Sequence, residues 1–206
     1  MAVHPTAIVE PGVTIGRGTA IWDNVHIRHS THIGVECIIG EKTYVAYGVN
    51  IGDRVKINAF VYICTGVTIE RGVMIAAGTV FTNDRYPRAT TVDFSRLRPS
   101  DPDEETLPTL IREGATIGAQ CTIGCGLTIG RFAMVGMAST VTKDVPDYHL
   151  VVGSPARTIG FVCACGHPLL KPGSPLPSQR AEYGCEACGL RYEIDGMRVG
   201  ELAGVR

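Results

Sequence analysis

The sequence predicts a mainly β protein whose body is a parallel β-helix, with an extruded loop and a small cysteine-bearing tail. Three observations carry this: a six-residue repeat, one break in it, and four cysteines gathered beyond its end. From Ala7 to Asp84 the hexads read AIVEPG, VTIGRG, TAIWDN, VHIRHS, THIGVE, CIIGEK, TYVAYG, VNIGDR, VKINAF, VYICTG, VTIERG, VMIAAG, TVFTND. Their third residue is always apolar: Val9, Ile15, Ile21, Ile27, Ile33, Ile39, Val45, Ile51, Ile57, Ile63, Ile69, Ile75 and Phe81. Their first is Ala, Val, Thr or Cys. The pattern returns at Ile111, Ile117, Ile123, Ile129, Val135 and Val141.

A period of six is foreign to an amphipathic helix, and glycine decides against long ordinary strands. Gly fills the fourth position at Gly16, Gly34, Gly40, Gly52, Gly118, Gly124, Gly130 and Gly136, where it suits a tight bend and would weaken a continuous strand. Short strands with a corner every six residues and an apolar column inside satisfy both facts. Over about residues 4–157 the hexads resemble the hexapeptide-repeat family, which implies a left-handed triangular β-helix with three hexads per turn. The hand follows from the resemblance alone, since general crossover rules favour the right hand. Three hexads per turn put residues i and i+18 in register at about 4.8 Å.

At 206 residues and a formal charge of −1, bulk electrostatics gives no attraction to nucleic acid or to a membrane surface. No run reaches the ~18 apolar residues of a membrane span. The opening MAVHPTAIVEPG has no charged and apolar regions of a signal peptide, so a cytoplasmic protein is expected.

Eight cysteines divide unequally. Cys37 and Cys121 take first positions, where a buried thiol acts as a small hydrophobe, while Cys64 and Cys125 lie just past the core column with no evident role. In the tail, Cys163-x-Cys165-Gly166 and Cys185-x-x-Cys188-Gly189 flank a Pro- and Ser-rich stretch. Four thiolates suit tetrahedral zinc, and the pattern resembles a zinc ribbon, with His167 an alternative ligand. Four protein ligands leave no open position, so such zinc is structural, stapling a segment too short to build its own core. The expected organisation is a β-helix over 1–160, a loop over about 84–108 and the ribbon-like module over 161–206.

Phe81 and Ile111 are 30 residues apart where one step takes six, so 24 residues leave the coil. That polar, Pro-rich segment cannot continue the coil, and long loops in compact domains are functional or disordered. The FTN at 81–83, the PRA at 87–89, the resumption IREGATIGAQCTIGCG, the closing VTKDVPDYHLVVGSPAR and the early IWDNVHI together resemble one branch of the family. Members of that branch N-acetylate nucleotide-linked amino sugars. The resemblance implies transfer of acetyl from acetyl-CoA to a sugar amine, often at C3, by homotrimers with sites between subunits. IWDNVHI and PRA look closer to the members that take 3-amino uronic acids on UDP than to those that take 3-amino deoxysugars on dTDP.

Amine attack on a thioester needs a neutral amine, alignment and donors for the developing oxyanion. Where some relatives use a histidine base, this chain matches with Asn83, which can orient the amine or polarise the acetyl group but takes no proton at neutral pH. Three proton acceptors stay open: Asp84, the departing CoA thiolate, and His26 supplied by an adjacent subunit. Asn83 and Asp84 also suit a plain turn out of the coil. Tyr86 is placed to stack on a ring and Arg88 to fork onto a carboxylate or pyrophosphate. The family's CoA groove maps onto Gly136, Ala138, Gly153, Ser154 and Pro155, with Lys143 and Arg157 for the phosphates. Two rivals remain: a β-helix scaffold that presents the ribbon to a partner, and a γ-type carbonic anhydrase. The second needs three convergent histidines, and none occurs between His32 and His149.

Overall fold

The computed structural model describes residues 2–170 and 173–202. Its body is a parallel β-solenoid of three sheets, and every described regular element is a strand. The first face starts at Ala2–Val3 and Ala20–Ile21, the second at Ile8–Val9 and His26–Ile27, the third at Thr14–Ile15 and His32–Ile33. Partners lie 18 residues apart, as in Ile8↔His26, His26↔Tyr44 and Tyr44↔Tyr62, so one turn is three hexads. Across the insertion the offset becomes 42, in Ile69↔Ile111, Met74↔Thr116 and Phe81↔Ile123, and the coil closes over the missing 24 residues without losing register.

The third-position column is the core: Ile21 to Phe81 and Ile111 to Val141 are all buried. The column fails only at its start. Val9 is exposed and Ile15 half-buried, because among the described residues no earlier coil lies against them. First-position threonines are buried too, and each spends its hydroxyl on a corner carbonyl: Thr19 Oγ1 donates to Gly34 O (2.8 Å), Thr31 Oγ1 to Ala46 O (2.9 Å) and Thr43 Oγ1 to Asn58 O (3.0 Å). The Cys37 and Cys121 thiols do the same toward Gly52 O (3.1 Å) and Gly136 O (3.2 Å). A buried carbonyl without a donor would be costly, which explains why Thr and Cys alternate with Val in this slot.

The fourth-position glycines serve a different purpose from the expected bend. The left-handed residue of each corner is the sixth, as at Gly48, Asn24, Lys42 and Arg54. At the fourth position coils approach too closely for a side chain: a β-carbon on Gly16 would sit 2.5 Å from the Gly34 carbonyl carbon, and one on Gly52 2.7 Å from the Arg71 nitrogen.

After the coil, His149–Gly153 and Ala156–Phe161 form an antiparallel hairpin that leads into the tail. There Ala181–Gly184, Arg191–Asp195 and Arg198–Glu201 make a three-stranded antiparallel sheet. It packs against the coil through Phe132, Tyr148 and Tyr192, whose rings succeed one another at 5.4 and 5.3 Å. Buried His149 ties the two parts, with Nδ1 at 2.9 Å from Thr158 Oγ1 and Nε2 at 2.9 Å from Met197 O. Among the described residues no helix is long and apolar enough to cross a membrane.

Candidate active site

The corner after the second face is where the loop leaves. Asn83 is the fifth residue of that face's hexad, and its carbonyl accepts the Leu107 N–H at 2.8 Å, so the two limbs of the insertion are joined at their root. Arg85 N–H to Glu105 O (3.1 Å) and the Asp84–Thr106 and Thr90–Leu97 bridges continue the pairing outward. The loop is therefore an ordered ribbon lying beside the coil. Between them runs a cleft of about 560 Å³ whose wall includes Asn83, Asp84, Arg88, Arg98, Tyr44 and Tyr62.

Three of the expected residues meet here. Among the described residues no hydrogen bond engages the Asn83 carboxamide, while Asp84 Oδ1 lies 3.4 Å from the Thr106 hydroxyl. Among the described residues Arg88 reaches only its neighbour's carbonyl, Pro87 O, at 3.0 Å. Tyr86 lines an adjoining groove with Asp84, Arg88 and Arg98, its ring beneath the Arg85 guanidinium at 5.5 Å. The cleft floor contains the buried Cys64 thiol, pushed up to about 12 by desolvation and therefore no nucleophile near neutral pH.

His26 stands apart from these three. It lies three coils up the second face from Val80, about 14 Å at strand spacing, and does not line the cleft. Its Nε2 is 2.8 Å from Glu10 Oε1, and its ring meets Tyr44 edge-on at 5.5 Å. Glu10 is a hub. It also accepts the His29 N–H at 3.0 Å and pairs with Arg28 Nε at 2.6 Å. The His29 amide first, with help from His26 and Arg28, holds the carboxyl down to about 2 against the upward pull of desolvation. Arg28 then donates from Nη1 to Tyr44 Oη at 3.0 Å, carrying the network to the edge of the cleft.

The residues assigned to CoA gather on two corners. Gly136, Ala138 and the hairpin tip Gly153–Pro155 share the corner between first and second faces. There Gly153 N–H donates to Ser139 Oγ at 3.1 Å, and a β-carbon on Gly136 would lie 2.5 Å from Val152. Lys143 is on the other corner, two coils along from Asn83 if the register Phe81↔Ile123↔Val141 is continued. Between them the second face presents Thr122 and Thr140. Arg157 is exposed, with Nη1 on Ala156 O at 2.8 Å.

The tail cysteines converge. The sulfurs of Cys163, Cys165, Cys185 and Cys188 all lie within 4.8 Å of one another, with Cys163–Cys188 at 3.4 Å and Cys165–Cys185 at 3.6 Å. A tetrahedron with Zn–S bonds of ~2.3 Å has edges of about 3.8 Å, so the donor set fits that ion. Tyr192 Oη, 3.2 Å from Cys163 Sγ, also receives the Ala164 N–H at 2.9 Å and so braces the first knuckle. His167 Nδ1 is 3.5 Å from Cys165 Sγ, beside a set already complete with four cysteines.

Sequence reasoning missed Tyr44, Tyr62, Arg98 and the Glu10–Arg28 pair. The tyrosines carried a signal, since His26, Tyr44 and Tyr62 are spaced by 18 in the outward second position. Arg98 carried none, because its place depends on how the loop folds back.

Repeats of the bacterial transferase hexapeptide type match residues 48–83, and the hexapeptide repeat of succinyl-transferase matches 31–64 and 108–143. The dTDP-3-amino-3,6-dideoxy-alpha-D-galactopyranose 3-N-acetyltransferase of Aneurinibacillus thermoaerophilus is 43% identical over 90 residues, 43% of each chain. The bifunctional protein GlmU of Rubrobacter xylanophilus is 33% identical over 183 residues, 73% of this chain and 39% of the relative. The chain thus spans less than half the length of either curated relative. AntD, an N-acyltransferase from Bacillus cereus solved with dTDP and 3-hydroxybutyryl-CoA, has 21% identity, coverage of 78% and 79%, and a TM-score of 0.49.

Proposed function

The chain belongs to the hexapeptide-repeat transferase family, and from that premise we propose that it moves acetyl from acetyl-CoA to the amine of a nucleotide-linked amino sugar. One observation carries the reading: Asn83, Asp84 and Arg88 share a cleft walled by the coil on one side and the extruded loop on the other. The relative from Aneurinibacillus thermoaerophilus, named for acetylation at a 3-amino group, supports an amine at C3 as the acceptor.

In this reading the sugar amine sits against the Asn83 carboxamide, whose oxygen accepts from the amine and fixes the lone pair toward the thioester. The amine attacks the carbonyl carbon, the tetrahedral centre collapses, and CoA leaves as thiolate. The amine proton passes to Asp84, to that thiolate, or to a His26 brought in by an adjacent subunit, since within one chain His26 lies three coils from Asn83 with Nε2 on Glu10. Catalysis rests on alignment rather than on a covalent enzyme intermediate, in keeping with the deeply buried, high-pKa Cys64. Acetyl-CoA would lie across the second face past Thr122 and Thr140, its pantetheine arm against Gly136 and Ala138 and its phosphates near Lys143, Ser154 and Arg157.

Structural zinc on Cys163, Cys165, Cys185 and Cys188 belongs to the same proposal, as does division into a β-helix over 1–160 and a ribbon-like module over 161–206. So does homotrimeric assembly, for which exposed Trp22, Ile38 and Phe60 offer lateral apolar surface. The test is thiol release from acetyl-CoA with a panel of UDP- and dTDP-linked 3-amino sugars, comparing wild type with Asn83→Ala. Amine-dependent release reduced about 100-fold or more by the substitution is the expected result. Undiminished turnover by Asn83→Ala moves the centre elsewhere, and no release with any amine ends the transferase reading.

A further inference from the structure

The hairpin that ends the coil has one secured strand and one dependent strand. His149–Gly153 is paired with the coil through Met134↔Leu150 and Val135↔Val151, and its end is pinned where Gly153 N–H donates to Ser139 Oγ at 3.1 Å. Ala156–Phe161 is the last strand of the nine-stranded sheet and, among the described residues, has a strand partner on one side only. Its pairing is also interrupted: Leu150 faces Gly160 and Val151 faces Thr158, so Ile159 bulges out. A bulge disrupts the ladder locally and lets the strand bend. Arg157, beside that bulge, and Ser154 and Pro155 at the tip are residues assigned to CoA.

What steadies the dependent strand is His149. The ring is fully buried, and its two nitrogens serve different parts of the molecule. Nε2 lies 2.9 Å from Met197 O; a carbonyl only accepts, so this nitrogen carries the proton. Desolvation pushes the pKa of His149 down and keeps the ring neutral, which leaves Nδ1 bare. Nδ1 accepts the Thr158 hydroxyl at 2.9 Å, at the bulge itself. The ring also meets Phe161 at 5.0 Å and 73°, two residues before the first tail cysteine. Met197 lies in the turn between Arg191–Asp195 and Arg198–Glu201, and the first of these strands carries Tyr192, whose Oη is 3.2 Å from Cys163 Sγ. One buried ring thus joins the cysteine-bearing sheet to the strand of Arg157. An apolar side chain would fill the same space; a buried polar ring is tolerated because both of its nitrogens are paired.

We infer that His149 is a positioning residue for CoA: it couples the four-cysteine tail to the strand that presents Arg157, so that an ordered tail raises the affinity for CoA. The inference rests on the reading that acetyl-CoA lies at the hairpin tip and zinc on the tail cysteines, and it gives the tail a part in the reaction beyond its own folding. A tail sheet ordered around four ligated thiolates holds Met197 O in place, His149 is fixed from that side, and Thr158 keeps the bulged strand in one setting. A disordered tail releases the ring, and the strand then samples other settings. CoA has to order it again on binding, which weakens the complex. Asn83 stands on another corner of the coil, so the chemical step is untouched.

Calorimetric titration of the full chain with CoA, alongside zinc content by emission spectroscopy, tests this directly. His149→Leu raises the Kd for CoA about fivefold or more at unchanged stoichiometry while zinc stays bound, and Thr158→Val, which cuts only the arm to the strand, acts in the same direction. His149→Gln, whose amide can donate to Met197 O and accept from Thr158, stays close to wild type. Cys185→Ser, which loses zinc, matches His149→Leu. In the thiol-release assay His149→Leu and Thr158→Val raise KM for acetyl-CoA and leave kcat and KM for the nucleotide-linked sugar nearly unchanged. Equal CoA affinity in wild type, His149→Leu and zinc-free Cys185→Ser overturns the inference and leaves acyl transfer standing. So does a fall in stoichiometry at unchanged Kd, the mark of a purely structural role. A wild type that binds no CoA overturns the inference and the transferase reading together.

Discussion

The coil and the tail are built on opposite plans. In the coil each side chain is held by its equivalents one turn away, so Ile57 packs between Ile39 and Ile75 in a column where all are buried. Stability is spread over many similar layers, as in other stacked repeats. The tail has one sheet, one small apolar cluster around Tyr192 and Ile194, and four sulfurs pointing at a single centre. Distributed support tolerates local change and leaves its outer face free for a site. Concentrated support stands or falls with one group.

Removing the zinc proposed for the four tail cysteines is the strongest way to break this contrast. Structural zinc sites of this type bind with apparent free energies on the order of 10 kcal/mol, far more than a cluster of this size supplies. The expected finding is one zinc ion per chain by emission spectroscopy, lost in Cys185→Ser, with the tail then open to proteolysis and the coil resistant. Coil melting together with the tail would mean that the Phe132–Tyr148–Tyr192 stack and the His149–Met197 hydrogen bond make one cooperative unit of the two.

Within the coil, two glycines sharpen the comparison. Gly52 meets the Arg71 nitrogen at 2.7 Å where a β-carbon would go, and that neighbour is backbone. Gly48, four residues before it, has a φ of +68° but nothing within 4 Å. Gly52→Ala should cost about 1–3 kcal/mol, as overpacking does, because the next coil has to move. Gly48→Ala should cost about 1 kcal/mol, the left-handed penalty alone, which the chain already bears at Asn24, Lys42 and Arg54. Denaturant unfolding of both variants checks the order, and equal losses would mean that coil spacing is looser than these distances imply.

These glycines also mark how far the sequence could be read. The period, the register of 18 and the 24-residue excision were legible because each third-position residue repeats one physical demand, burial in a common column. The reason for the fourth-position glycine was not, since it depends on the approach of the next coil rather than on local backbone preference. In the site, Asn83, Asp84 and Arg88 were legible as a cluster because they flank one exit from the coil. Arg98 was not, because a loop without period gives no rule for which residue returns to face the cleft. The cysteines of the tail were legible from spacing, whereas the bracing by Tyr192 needed the fold.

The smallest effect concerns the coil's own weak end. Among the described residues the first turn has no neighbour before it, so Val9 is exposed and Ile15 only half-buried against the column. Beside the strand pairing on its three faces, one side chain clamps it: Glu10, joined to the second turn through His26, Arg28 and the His29 amide. Its carboxyl falls from the ordinary 4.5 to about 2, so protons favour the unfastened state. The contribution is intact above about pH 4.5 and vanishes as pH falls toward 2. Trp22, the single tryptophan, lies in the second turn, its backbone N–H donating to Ile39 O, and its fluorescence reports this region. Wild type should show a fluorescence change between pH 4.5 and 2, while Glu10→Gln, which cannot titrate, should show the loosened signal already at neutral pH and no transition in that window. A transition of the same size in Glu10→Gln would assign the acid response to another carboxylate and make the first turn no different from the rest of the coil.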